Sequence, residues 1–162
     1  WEDAAEPARA AGIRVVHPRI GVVLTPAGGA LRKLLPPFLA GLGGPVGPGN
    51  QRLSWIAMDD VIDALHRAVV DPIWTGPVNL VSATPASQDD FARTLARVLR
   101  RPCLLPVPSS ALRLAFGEMA DETLLGDNAV VSARLGEWGY RLRYPDLTGA
   151  LRHLLGRTSP DS

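Results

Sequence analysis

At 162 residues, with 46% hydrophobic and 20% charged residues and a formal net charge of +1, the chain can bury one good core and has a globular composition. Its arginines are scattered, which argues against nucleic acid or an anionic membrane as a partner, and its apolar stretches fall short of the roughly 20 residues of a membrane helix. The single Cys103 excludes an internal disulfide and a cysteine-rich metal site, so a cytoplasmic, reducing location is expected.

The chain opens on Trp1, and Glu2 to Ala11 reads as the end of a helix closed by Gly12, so it is expected to be a piece of a longer protein. Ile13 to His17 is a β-branched run, a buried strand. Ala30 to Ala40 has helical spacing that Pro36-Pro37 is expected to break, and a Gly/Pro loop, Gly41 to Gly49, follows. Arg52 to Ala57 reads as a strand. Asp59 then caps a helix with Val61, Ile62, Leu65 and Val69 as its apolar stripe. Pro77 to Val81 is another strand, and Ser87 opens a helix with Phe91, Leu95, Val98 and Leu99 as its core face. Cys103 to Pro106 is extended, Ser109 or Ser110 caps an apolar helix through Met119, and a last helix starts at Asp146. Residues 158–162 form a tail. Alternation of this kind predicts an α/β fold with at least one parallel pairing.

Gly41-Leu-Gly-Gly44-Pro-Val-Gly47 spells the spacing of a dinucleotide loop, but such a loop must follow a strand and open a helix. Here it follows a helix and leads to a strand, so it reads as a surface loop. Lys33 is the only lysine and position 29 is Gly, so no Tyr–Lys pair at a spacing of four exists to lower a phenol's pKa. No catalytic residue is therefore assigned, and no histidine spacing suggests a metal site. Two clusters remain. Arg19 and Gly21 lie beyond the first strand, where α/β folds place ligand crevices; Arg19 either grips a phosphate or carboxylate or has a structural role, a buried ion pair or a hydrogen bond to loop carbonyls. Gln51, Arg52 and Trp55 combine amide, cation and aromatic as a sugar or nucleotide pocket does, with Trp55 as plain core the other reading. Glu118, beside Met119, is either a semi-buried acid or a solvent-facing one.

The segment from Arg19 through Gly21, Leu24, Pro26 and Gly28-Gly29-Ala30-Leu31 resembles a signature of epimerase-family proteins related to nucleoside-diphosphate-sugar epimerases. Gly47-x-Gly49-x-Gln51, Ser54-Trp55-Ile56, Asp59-Asp60, Gly76 to Leu80, Pro106-Val107-Pro108, Gly117-Glu118-Met119 and Tyr144-Pro145 continue the similarity in order, from Trp1 to about Leu155. Ala57 stands where the family commonly has His. Against better-known sugar epimerases, Val22 and Leu53 stand where a substrate-binding Asn and a phosphate-gripping Arg are common.

The resemblance implies the C-terminal part of a Rossmann-type extended short-chain dehydrogenase/reductase, an oxidoreductase or isomerase. Residues 1–82 would complete its NAD(P)-binding domain, and 83–157 would form a mostly helical substrate-side lobe. NADP or NAD would bind the whole protein, with Arg19 and Gly21 on the cofactor side. Gln51, Arg52 and Trp55 would face a nucleotide-sugar or other small-molecule substrate. The alternative is a non-catalytic α/β module for dimerisation, as a homodimer, or for partner binding.

Overall fold

The computed structural model describes residues 2–45, 47–103 and 129–157. A 3-10 turn, Glu2–Ala5, runs into α1, Glu6–Ala10. Pro7 sits in the first turn of α1, where its missing N–H has no partner to lose. Gly12, at φ +77, then ends the helix.

The sheet is built on β1 (Val16–Ile20) and β2 (Val22–Leu24), separated only by Gly21. The first strand lies three residues beyond the Ile13–His17 run expected for it, and Arg19 is inside it rather than after it. Pro18 does not end it, because the residues of odd number hydrogen-bond β5: Gly21 N–H donates to the Leu80 carbonyl and Gly76 N–H to that of Val15. The missing N–H of Pro18 therefore faces the opposite edge, which pairs with no described strand.

β1 runs parallel to β5 (Gly76–Leu80), with Arg19 opposite Asn79. β2 runs parallel to β4 (Trp55–Ala57), with Val22 opposite Trp55. β3 (Arg52–Leu53) pairs antiparallel with β6 (Ala86–Ser87). Both parallel pairings fit the expected α/β class.

Around the strands lie α2 (Gly29–Leu39), α3 (Met58–Val70), α4 (Gln88–Leu99), α5 (Ala133–Glu137) and α6 (Leu147–Leu154). Pro36 and Pro37 sit inside α2 without breaking it. The missing N–H groups of Pro36 and Pro37 fall opposite Arg32 and Lys33, on the exposed side of the helix. Burial of Leu31, Leu34 and Phe38 holds the helix in place.

The caps of α4 and α6 follow expectation: Ser87 Oγ accepts from Asp90 N–H, and the Asp146 carboxylate accepts from Gly149 N–H. That of α3 does not. Its N-cap is Ala57, with no side-chain cap, and its inward face is Asp60, Val61 and Ala64. With Asp60, Val61 and Ala64 facing inward, helical spacing turns Ile62, Leu65 and Val69 outward, at 61%, 37% and 74% exposed. The expected single stripe is thus divided, with Val61 alone of its members buried.

One core cluster joins Leu24, Leu31 and Trp55 to Leu95 of α4 and Leu151 of α6; the other gathers Ile56, Trp74, Val78, Leu80 and Leu135. No described helix is long and apolar enough to cross a membrane. The expected Ser109/Ser110–Met119 helix, Glu118 and the 158–162 tail lie outside the described residues.

Candidate functional site

Gly21 lies where the carboxyl ends of β1 and β5 give way to the amino ends of β2 and β4. A Cβ there would lie 2.6 Å from the Ser54 carbonyl oxygen and 2.8 Å from Val81 Cγ1, so only glycine lets the strands approach this closely. From this point the strand partners diverge: Gly21 N–H donates to Leu80, and the next N–H, of Val22, donates to Ser54. The residues before α5 are laid over the junction. Ser54 Oγ accepts from Val130 N–H at 2.7 Å and donates to its carbonyl at 3.2 Å, and Asn79 Nδ2 donates to the Val131 carbonyl at 3.2 Å.

Arg19 shares its sheet face with Asn79, its directly opposite partner in a parallel pair. Its guanidinium is exposed and forks onto Glu2, at 2.6 Å from Nε to Oε1 and 2.9 Å from Nη2 to Oε2. The hydrogen bond and charge of Arg19 lower the Glu2 carboxyl below its ordinary range, and Glu2 in turn raises Arg19. Of the two readings left open for Arg19, an ion pair is present, on the surface rather than buried. Because both partners face water, the guanidinium can exchange Glu2 for another anion.

Gln51, Arg52 and Trp55 do not converge. Arg52 is exposed on β3, whereas Trp55 is 1% exposed in the core beside Leu24 and Leu95. The Trp55 Nε1 and Gln51 Oε1 atoms are buried without hydrogen-bond partners. Part of the Trp55 side chain borders a cleft of about 330 Å³ with Thr84, Asp90, Thr94 and Asp146. The glycine-rich stretch, for its part, is packing and turn. A Cβ on Gly43 would lie 2.4 Å from the Phe38 ring, and Gly41 takes φ +78 just after α2.

The Asp59–Asp60 pair has a role that the sequence does not reveal. Asp60, 1% exposed, accepts backbone N–H bonds from Arg143 at 2.6 Å and Tyr144 at 3.1 Å. Burial pushes its carboxyl above the ordinary range, while those N–H groups and the Arg143 charge pull it back. Asp59 meets His153 at 3.3 Å, and His153 stacks on Tyr144 at 4.2 Å between ring centroids. Tyr140 donates to Asp63 at 3.0 Å, and burial raises its phenol far above the ordinary value. Both tyrosines thus serve to tie residues 140–153 to α3. Arg14 is a second unforeseen anchor: it donates to the carbonyls of Ala68, Val69 and Trp74 at 2.6, 2.7 and 2.9 Å, closing the carboxyl end of α3.

Comparison with known proteins places this arrangement. Epimerase family protein Mb2239 of Mycobacterium bovis is 41% identical over 157 residues, 97% of this chain and 52% of that protein. Close homologues of this chain are named epimerase family proteins. A family model described as a domain of unknown function (DUF1731) matches residues 107–154. The crystal structure of human epimerase family protein SDR39U1 (isoform 2) with NADPH superposes with a TM-score of 0.83 at 34% identity, over 90% of this chain and 50% of that one. A nucleoside-diphosphate sugar epimerase from Corynebacterium glutamicum gives 0.78 at 33% identity, over 100% of this chain and 30% of that one. The fold is that of Rossmann-type extended short-chain dehydrogenases/reductases. The chain spans about half the length of the curated relatives it matches.

Proposed function

We propose that this chain is the carboxyl-terminal, substrate-facing half of an NAD(P)-dependent oxidoreductase or isomerase, and that the cofactor fingerprint and the catalytic tyrosine lie in the other half. The observation that carries the reading is the overlap with the NADPH-bound human protein, which takes in nearly all of this chain and half of that one. The unpaired edge of β1 supports it, since a further strand can add there. So does the chemistry of the chain itself, in which both tyrosines are engaged structurally and neither stands four residues before a lysine.

On this reading Arg19, exposed and held by a replaceable surface partner, takes a phosphate or carboxylate of the cofactor, and the bend at Gly21 fixes its position. The group bound there, NADP or NAD, would supply hydride transfer. The chain's own residues would orient it and form the far wall of the site. Gln51 and Trp55, with buried polar atoms unpaired, stand on the substrate side together with Arg52 and the lobe formed by residues 83–157. The substrate is a small molecule, a nucleotide-sugar or another compound, and the lone Cys103 suits a cytoplasmic location.

The test is a titration of the full-length protein with NADPH and NADH, followed by nicotinamide fluorescence. Saturable binding that Arg19→Ala weakens several-fold, with the melting curve unchanged, supports the assignment. Binding indifferent to Arg19→Ala confines that residue to its pair with Glu2.

A further inference from the structure

Beyond the carboxyl end of β5 lies a cleft of about 390 Å³, which shares Pro145 with the one beside Trp55. Open α/β sheets hold ligands beyond the carboxyl ends of their strands, and this volume is in the range of small-molecule pockets. Its walls are aliphatic: Val81 and Ala83 from the strand end, Leu135 from α5, and Leu142 and Pro145 from the segment leading to α6. Polar groups are few. Tyr140 borders the cleft but spends its hydroxyl on Asp63. The neighbouring Arg134 is not free for a ligand either, since it donates to the Thr75 and Pro77 carbonyls.

Among the described residues that leaves Ser132 and Arg141. Ser132 Oγ is buried with no hydrogen-bond partner. The Arg141 side chain lines the cleft and is exposed, and no described carboxylate pairs with it. A single guanidinium against aliphatic walls suits one anionic group on an apolar body. It does not suit a nucleoside diphosphate, whose charge, ribose and base call for several cations and a dense set of donors and acceptors.

We propose that this cleft binds an amphipathic monoanion, an aliphatic or aromatic carboxylate whose body fills the space between Ala83, Leu135 and Leu142 and whose acid group meets Arg141. The unpartnered Ser132 hydroxyl is the remaining hydrogen-bonding group in the wall. This rests on the reading of the chain as a substrate-facing half, and within it assigns the substrate to amphipathic acids rather than nucleotide-sugars.

The experiment is isothermal titration of the full-length protein with decanoate, decanol and UDP-glucose, with a parallel NADPH titration. Decanoate should saturate one site and bind at least tenfold more tightly than decanol, and UDP-glucose should not compete. Ala83→Phe, which fills the cleft, should abolish decanoate binding. Arg141→Ala, at an exposed position that leaves folding intact, should erase the preference for decanoate over decanol. Competition by UDP-glucose, or a preference unchanged in Arg141→Ala, overturns the proposal. Loss of decanoate binding in wild type with NADPH binding retained overturns this inference alone; decanoate binding without NADPH binding overturns only the functional reading.

Discussion

The Asp60 carboxylate on α3 accepts the backbone N–H of Arg143 at 2.6 Å, across 83 residues of chain. With the second bond, from Tyr144, it fastens the segment that precedes α6 to the helix that covers the sheet. Replacing it with Ala leaves two part-buried N–H groups without their carboxylate partner, which should cost about 1–3 kcal/mol of stability. Chemical denaturation of Asp60→Ala checks this; a midpoint equal to wild type contradicts it.

The same carboxylate makes stability depend on pH in a direction opposite to that of an ordinary ion-paired acid. Its pKa is raised in the fold above the free value of 3.8, so the folded state holds the proton more tightly than the unfolded chain. The stabilisation linked to it is complete below 3.8 and is lost as pH rises through the folded-state pKa. Asp60→Asn lacks that titration. The stability of wild type minus that of Asp60→Asn should therefore fall as pH rises above 3.8, and a difference that is flat or increasing contradicts the assignment.

Gly21→Ala should be destabilising in proportion to the clash it creates. The new methyl would meet a backbone carbonyl, which cannot swing away as a side chain can. Overpacking of this kind costs about 1–3 kcal/mol. A drop in melting temperature, present with and without cofactor, is expected from thermal unfolding.

Arg14 donates to two carbonyls at the end of α3 and to that of Trp74 beyond it, so Arg14→Ala should lower stability by about 1–3 kcal/mol. Arg14→Lys keeps the charge but not the planar fork and should fall between the two. Equal stability of all three proteins in urea would contradict the capping role.

Ile62, Leu65 and Val69 present an apolar stripe on the outer face of α3, close in sequence to the exposed Val70 and Ile73. The 162-residue chain should associate with itself through this surface. Sedimentation velocity should show larger species at higher concentration, and Ile62→Lys with Val69→Lys should reduce them. A monomer at all concentrations contradicts this.

These features also show what the amino-acid pattern reveals. Ser87 and Asp146 were legible as caps because the N–H groups they accept lie three residues away. The α4 core face was legible from its period. The path of β1 through Pro18 was not, because it depends on which edge of the strand faces β5. Asp60 and Arg14 were hidden for a related reason: their partners lie more than fifty residues along the chain, and an acid at a helix start or an arginine after a turn has an ordinary local explanation. Of the candidate site, the place of Gly21 just beyond the first strand was legible, whereas Arg19 lies inside that strand and the aliphatic cleft assembles from three separate segments and leaves no local trace.

On the proposed function, cofactor binding belongs to the whole protein and not to this half, which nicotinamide fluorescence can decide. NADPH is titrated into the 162-residue chain and, separately, into the full-length protein. Saturable binding by the full-length protein and none by the chain alone is the expected result. Saturable binding by the chain alone, or its absence in the full-length protein, would contradict it.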